Sequence, residues 1–114
     1  MAYSAKQGDI IRLTLDPQAG HEQKGRRPAV VISNNTFNGF TKTGAMVCPV
    51  TSTHKGIPIQ PALDGRTKTS GVILCDQSKI LDLNIRNAEF IERVPEDILR
   101  EIVGIVTEII EIED

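Results

Sequence analysis

The chain has 114 residues, of which 39% are hydrophobic and 25% are charged, which suits one domain with a modest core. It lacks the run of about 18 apolar residues that a membrane helix needs. Its N-terminus, MAYSAKQGD, is too polar for a signal peptide. We therefore expect a single domain over residues 1–114, located in the cytoplasm and without a membrane segment.

Charge is distributed unevenly along the chain. The net charge is −2, but residues 95–114 contain seven acids and one base, whereas the remainder contains twelve bases and eight acids. A phosphate ligand responds to the local field rather than to the sum over the chain. A basic body with an acidic C-terminal segment is therefore compatible with binding to RNA or DNA.

The two cysteines, Cys48 and Cys75, both lie within apolar runs. A disulfide framework or a cysteine metal site would need more cysteines at closer spacing, so we interpret both as small core residues. The carboxylates and histidines do not cluster at metal-ligand spacing either. No metal and no other cofactor is predicted.

The predicted elements begin with a strand over 8–15, GDIIRLTL, and a polar loop over 16–27, DPQAGHEQKGRR. The following run over 28–33, PAVVIS, is typical of a strand that is buried on both faces. Pro28 at its first position costs no hydrogen bond of the sheet. The loop is long for a connection between strands, which is typical of a functional or mobile segment.

The middle of the chain is richer in turns. We predict a polar connection over 34–44, a short strand over 45–50, AMVCPV, and a loop over 51–56. The segment 57–63, IPIQPAL, contains two prolines that cannot donate to a ladder, which favours an edge strand. Residues 64–70, DGRTKTS, have the composition of a turn.

A second continuous apolar run over 71–75, GVILC, predicts another buried strand. The segments 76–85 and 87–94 add one or two short strands. Together with the preceding elements, these strands predict a small, strongly bent antiparallel sheet or barrel of five to seven strands. The fold class is therefore mainly β.

The C-terminal segment has a helical period. From Pro95, which suits the first position of a helix, apolar residues recur at spacings of three and four through Ile112. This pattern predicts one amphipathic helix that packs across the sheet with its acids on the outer side. Gly104 costs about 1 kcal/mol relative to alanine within a helix, and close packing against a neighbour would be one reason to keep it.

The order of four features resembles the MazF/PemK-like toxins of bacterial toxin–antitoxin pairs. These are GDIIRLTLDPQAGHEQKGRRPAVVIS, VCPVTS, GVILCDQSK and the C-terminal helix, and the likeness spans nearly the whole chain. It implies an SH3-like barrel of the CcdB/PemK/MazF type with a C-terminal helix, commonly a homodimer. It also implies a metal-independent, sequence-specific endoribonuclease for single-stranded RNA, held inactive by a MazE-like antitoxin with an extended acidic segment.

The resemblance further implies functional residues. The family's catalytic arginine falls on Arg27, its catalytic hydroxyl on Thr51, and the acidic residue of its E-Q pair on Glu22. The residues expected to contact RNA are Gln23, Lys24, Arg26, Ser52, Gln77 and Lys79.

The chemistry of RNA is consistent with this set. RNA carries its own nucleophile, the 2′-hydroxyl, so an enzyme needs only proton carriers and cations around the pentavalent phosphorus. Arg27 offers a planar fork of donors that matches two phosphate oxygens, and Thr51 could donate to a third. A guanidinium with a pKa above about 12 hardly deprotonates, which leaves Glu22 or His21 as possible proton carriers.

Two other classes of function remain open. A non-catalytic CcdB-like toxin that binds and poisons DNA gyrase would have no need of the Arg27–Thr51 pair. A plain nucleic-acid-binding barrel usually reads single strands with aromatic platforms, whereas this chain has four aromatic residues in no repeated pattern. His21 and His54, taken alone, are typical of surface loop residues. We further hypothesise that the loop 16–27 becomes ordered on RNA and is displaced by the antitoxin.

Overall fold

The computed structural model describes residues 3–15, 25–53 and 56–114. In chain order, the described elements are β1 (Asp9–Thr14), β2 (Arg26–Val31), α1 (Asn35–Thr41), β3 (Gly44–Thr51), β4 (Val72–Ile73), β5 (Lys79–Asp82), β6 (Glu89–Arg93) and α2 (Glu96–Ile109). A short 3-10 helix, Cys75–Gln77, lies between β4 and β5. The mainly β fold with a C-terminal helix is thereby confirmed.

The six strands form one antiparallel sheet in the order β4-β3-β2-β1-β6, with β5 paired to β3 as well. β3 is the longest of the described strands, and it pairs with three others. Its first half pairs with β5, and its last two residues pair with β4. On its other edge it pairs with β2, where Ala29 lies opposite Pro49 and Val31 lies opposite Val47.

The central strands are buried on both faces, as the run over 28–33 predicts. Side chains alternate along a strand, so neighbouring residues belong to different faces of the sheet. Val30 and Cys48 pack on one face against Ile98 and Ile102 of α2. The other face, which we call the second face, is formed by the core residues Ile11, Leu13, Ala29, Val31, Ala45, Val47 and Leu83.

The C-terminal helix is present but shorter than predicted. It begins at Glu96, directly after Pro95, with two acids in its first turn where the macrodipole favours them. It ends at Ile109, so Ile112 lies beyond it and is 91% exposed. Close packing at Gly104 is not found, because the position of a Cβ there has no atom within 4 Å.

Three sequence predictions in the middle of the chain are wrong. The connection 34–44 contains α1, because the Asn34 side chain accepts a hydrogen bond from the Phe37 N–H (2.9 Å) and starts a helix. The edge strand over 57–63 is reduced to an isolated bridge between Ala62 and Val72, since its two prolines remove ladder donors. The strand over 71–75 is only two residues long and continues into the 3-10 helix.

Both cysteines are free and fully buried, which confirms their interpretation as core residues. Among the described residues, no helix is long and apolar enough to cross a membrane.

Candidate functional site

Arg27 lies within β2, although the sequence prediction placed it at the end of a loop. It pairs with Leu13 of β1 in the ladder, and its side chain is exposed. Because alternate residues of a strand share a face, Arg27 projects from the same face as Ala29 and Val31. This is the second face of the sheet, away from α2. A regular strand therefore presents the guanidinium.

Arg27 lines a cleft of about 410 Å³, which we call the arginine cleft. Gln77 and Lys79 line the same cleft, so the structure brings together three of the predicted site residues from three separate elements. Its apolar walls are Leu15, Pro49, Val50 and Leu74. A few polar groups among apolar walls are typical of a ligand site.

The sheet register explains why these side chains converge. Lys79 lies opposite Val47 in the β5–β3 pair, so both project from the second face. The backbone between β4 and β5 is tied to β3, because the Leu74 N–H donates to the Pro49 carbonyl (2.9 Å). The Gln77 N–H then donates to the Leu74 carbonyl (3.0 Å) and closes the 3-10 turn at the cleft.

Thr51 is the last residue of β3 and pairs with Val72 of β4. The β2–β3 pairing ends at Ala29 and Pro49, two residues before Arg27 and Thr51 would meet, and Thr51 is not among the residues that line the arginine cleft. The Thr51 Oγ1 accepts a hydrogen bond from the Thr53 N–H (3.2 Å). A hydroxyl that accepts still has its own proton to donate, so Thr51 remains a competent donor.

Arg26 does not line the arginine cleft. Its guanidinium donates to the Glu89 carboxylate (2.7 Å) and to the Asn87 carbonyl (3.0 Å). It borders a different cleft of about 520 Å³ together with Tyr3 and Asn84. Ser52 is exposed next to Thr51. The RNA contacts of Arg26 and Ser52 stay predictions.

The predictions for His21, Glu22, Gln23, Lys24 and His54 lie outside the described residues. Hydrogen bonds fix the described residues on either side of positions 16–24. The Leu15 N–H donates to the Gly25 carbonyl (2.9 Å), and Arg86 donates to the Leu15 carbonyl (2.6 Å). Leu15, the last described residue before this segment, lines the arginine cleft.

Sequence reasoning missed the apolar walls of the cleft. Leu15 could have been found, because it continues the alternation of the apolar residues Ile11 and Leu13 one residue beyond the end of β1. Pro49 and Leu74 carry no comparable signal in the sequence, since their place at the cleft depends on how β3 meets the chain after β4. Within the described part of the chain, no group of three or more His, Cys, Asp and Glu side chains could hold a metal ion.

A network of hydrogen bonds fixes the segment that precedes β4. Arg66 donates to the Asp64 carboxylate (2.8 Å) and to Asp97 at the start of α2 (2.9 Å). These bonds from Arg66 lower the pKa of Asp64 to about 2 and also lower the pKa of Asp97. Desolvation acts to raise the pKa of Glu92, but hydrogen bonds to its carboxylate from the N–H groups of Lys68 and Thr69 outweigh it, and the pKa is lowered.

Comparison with known proteins places the chain in a family. Residues 6–110 match the PemK-like, MazF-like toxin of type II toxin–antitoxin systems. Endoribonuclease PemK of Escherichia coli is 39% identical over 103 residues, which cover 87% of this chain and 77% of that protein.

Solved structures agree with this relationship. MazF of Deinococcus radiodurans superposes with a TM-score of 0.82 at 41% identity, covering 94% of this chain and 96% of that one. The MazE–MazF complex from the same organism gives a TM-score of 0.82 at 33% identity, covering 97% and 99%. The chain therefore belongs to the family of PemK-like, MazF-like toxins of type II toxin–antitoxin systems.

Proposed function

We propose that this endoribonuclease toxin cuts single-stranded RNA in the arginine cleft by a metal-independent reaction. The ribose 2′-oxygen attacks the adjacent phosphorus while its proton passes to a base, and the bond from phosphorus to the 5′-oxygen breaks. The leaving 5′-oxygen takes up a proton. The products are a 2′,3′-cyclic phosphate and a free 5′-hydroxyl.

Each site residue has a role in this reaction. The Arg27 fork and the Thr51 hydroxyl donate to the phosphate oxygens, where negative charge grows in the transition state. Lys79 and Gln77 bind the RNA strand on the opposite wall, with Gln23, Lys24, Arg26 and Ser52 as further contacts. Glu22 or His21 carries the protons, because a guanidinium hardly deprotonates.

A single observation supports this proposal most. Arg27 lines one cleft with Gln77 and Lys79, although it precedes Gln77 by 50 residues in the sequence. Thr51 ends β3, two residues after Pro49, which pairs with Ala29 of the strand that presents Arg27. Cations and neutral donors that converge beside apolar walls suit a nucleotide, whose phosphate is charged and whose base is flat and partly apolar.

The partners follow from the family. We propose that residues 1–114 form one toxin domain that acts in the cytoplasm and is neutralised by a MazE-like antitoxin; the solved structure of a related MazE–MazF pair supports such a partner. We also propose a homodimer. The exposed side chains of Ile109 and Ile110 at the end of α2 support it, because a second copy could cover them.

A direct assay tests the proposed function. Purified protein is incubated with a mixed-sequence RNA transcript in excess EDTA, beside an Arg27→Ala control. Discrete fragments with cyclic phosphate ends, absent from the control, support the proposal. Intact RNA together with trapped gyrase–DNA complexes in a parallel reaction would instead identify a CcdB-like gyrase poison. RNA that is bound but uncut would identify a binding module.

A further inference from the structure

Gly71 lies directly against the backbone of Thr51. A Cβ built on Gly71 would be 2.3 Å from the Thr51 carbonyl oxygen and 2.9 Å from its carbonyl carbon. Both distances are under 3.0 Å, a separation that real Cβ atoms essentially never show. Gly71 also has a φ of +127°, which residues with side chains rarely adopt.

We propose that Gly71 is a positioning residue for the Thr51 hydroxyl. Its missing side chain lets the chain before β4 lie directly against the last peptide of β3, and this contact holds Thr51 in place at the end of that strand. The inference rests on the proposed function, in which the Thr51 hydroxyl donates to the scissile phosphate.

The surrounding hydrogen bonds leave Gly71 little room to retreat. The Gly71 carbonyl accepts from the Leu63 N–H (2.9 Å) on the side of the preceding segment. On the other side, its neighbour Val72 pairs with Thr51, and Ile73 pairs with Val50. A side chain at Gly71 must therefore displace either the Thr51 peptide or the start of β4.

A displacement of this kind would be costly for catalysis in particular. The Thr51 hydroxyl acts only if it meets a phosphate oxygen at hydrogen-bond distance, and a shift of about 1 Å can cost up to about 100-fold in rate. In the proposed function RNA binding depends on Arg27, Lys79 and Gln77, which line the arginine cleft. We therefore expect loss of cleavage rate with little loss of affinity.

The experiment compares Gly71→Ala with Gly65→Ala, a matched control in the same segment whose Cβ position has no atom within 4 Å. Cleavage rates of a mixed-sequence RNA transcript are measured with enzyme in excess, RNA affinity by fluorescence anisotropy, and folding by circular dichroism. Gly71→Ala should cut about 10- to 100-fold more slowly at nearly unchanged affinity. Gly65→Ala should match the unsubstituted protein in both measurements.

A double variant separates positioning from general damage. If Gly71 acts through the hydroxyl, adding Gly71→Ala to Thr51→Ala should lower the residual rate no further. Gly71→Ala that is folded and fully active, or that loses affinity but not rate, would overturn the inference. Thr51→Ala with undiminished cleavage would reject the catalytic role of Thr51 itself, and the inference with it.

A measurement on the unsubstituted protein decides the question if Gly71→Ala does not fold. Backbone ¹⁵N relaxation should give Thr51 an order parameter near about 0.85, the value of rigid backbone, if the Gly71 contact holds it. A value below about 0.6 would show a mobile strand end and overturn the inference.

Discussion

Arg26 and Arg27 are adjacent in β2, yet their guanidinium groups belong to two different clefts. Arg26 donates to the Glu89 carboxylate (2.7 Å) and to the Asn87 carbonyl (3.0 Å), which ties the start of β2 to β6 and the turn before it. Arg27 lines the cleft that also contains Gln77 and Lys79. The first arginine thus anchors the strand from which the second is presented.

Arg27→Ala should lower the cleavage rate by about 10²–10³-fold, the usual cost of removing a donor to charge in the transition state. Arg27→Lys should recover only part of this loss, because a single ammonium cannot reproduce a planar fork. Arg12→Ala, at an exposed position in β1 whose side chain does not line the cleft, is the control. Equal rates for Arg27→Ala and Arg12→Ala would contradict the site assignment.

Thr51→Val should reduce the cleavage rate by about 10²-fold, since valine keeps the shape of threonine but cannot donate to phosphate. Thr51→Ser keeps the hydroxyl and should remain within several-fold of the unsubstituted protein. The comparison is made in single-turnover reactions on the same RNA. A valine variant that cuts as fast as the serine variant would show that the hydroxyl is not required and would contradict the role of Thr51.

Lys79→Ala should weaken RNA binding and make it less sensitive to salt. Each cation that neutralises a phosphate of a single strand contributes about −0.7 to the slope of log affinity against log salt concentration. In Lys79→Ala the slope of log affinity against log salt concentration should therefore become shallower by about 0.7. Fluorescence anisotropy at salt concentrations from about 50 to 200 mM measures it. Lys6→Ala, at an exposed position outside the cleft, should leave the slope unchanged.

Acid should remove the stabilising effect of Arg66. The pKa of Asp64 is about 2 in the folded protein, below its ordinary value of 3.8, because of the bonds from Arg66. A carboxyl whose pKa is lower in the folded than in the unfolded protein stabilises the fold at pH values above its unfolded-state pKa. This contribution is lost as the pH falls through the folded-state pKa. The advantage of the unsubstituted protein over Arg66→Gln in urea unfolding should therefore shrink between about pH 4 and about pH 2. If the unsubstituted protein kept its full stability advantage over Arg66→Gln at about pH 2, the result would contradict the lowered pKa of Asp64.

The sequence predicted the parts of the fold that depend on apolar pattern. The run over 28–33 predicts a strand buried on both faces, and Val30 and Val31 are fully buried there. The apolar period after Pro95 predicts α2, but it continues to Ile112, whereas the helix ends at Ile109. Burial of apolar surface dominates these elements, so their period alone specifies them.

Elements that depend on tertiary contacts were not predictable in this way. Residues 57–63 have the apolar content of a strand, but two prolines leave a single bridge at Ala62. Thr51 was assigned to a loop, whereas pairing with Val72, distant in sequence, extends β3 to include it. The contact of Gly71 with Thr51 arises from the same pairing, so no local pattern marks it.

The central claim is that the ribose next to the scissile phosphate attacks that phosphate while Arg27 and Thr51 hold it. The most direct test sequences the fragment ends, then synthesises an RNA oligonucleotide around the cut site with a single 2′-deoxy sugar at the attacking position. The account predicts that this oligonucleotide binds normally and stays intact, while the all-ribose form is cut in the same buffer. Cleavage of the deoxy-substituted oligonucleotide at the same bond would contradict it.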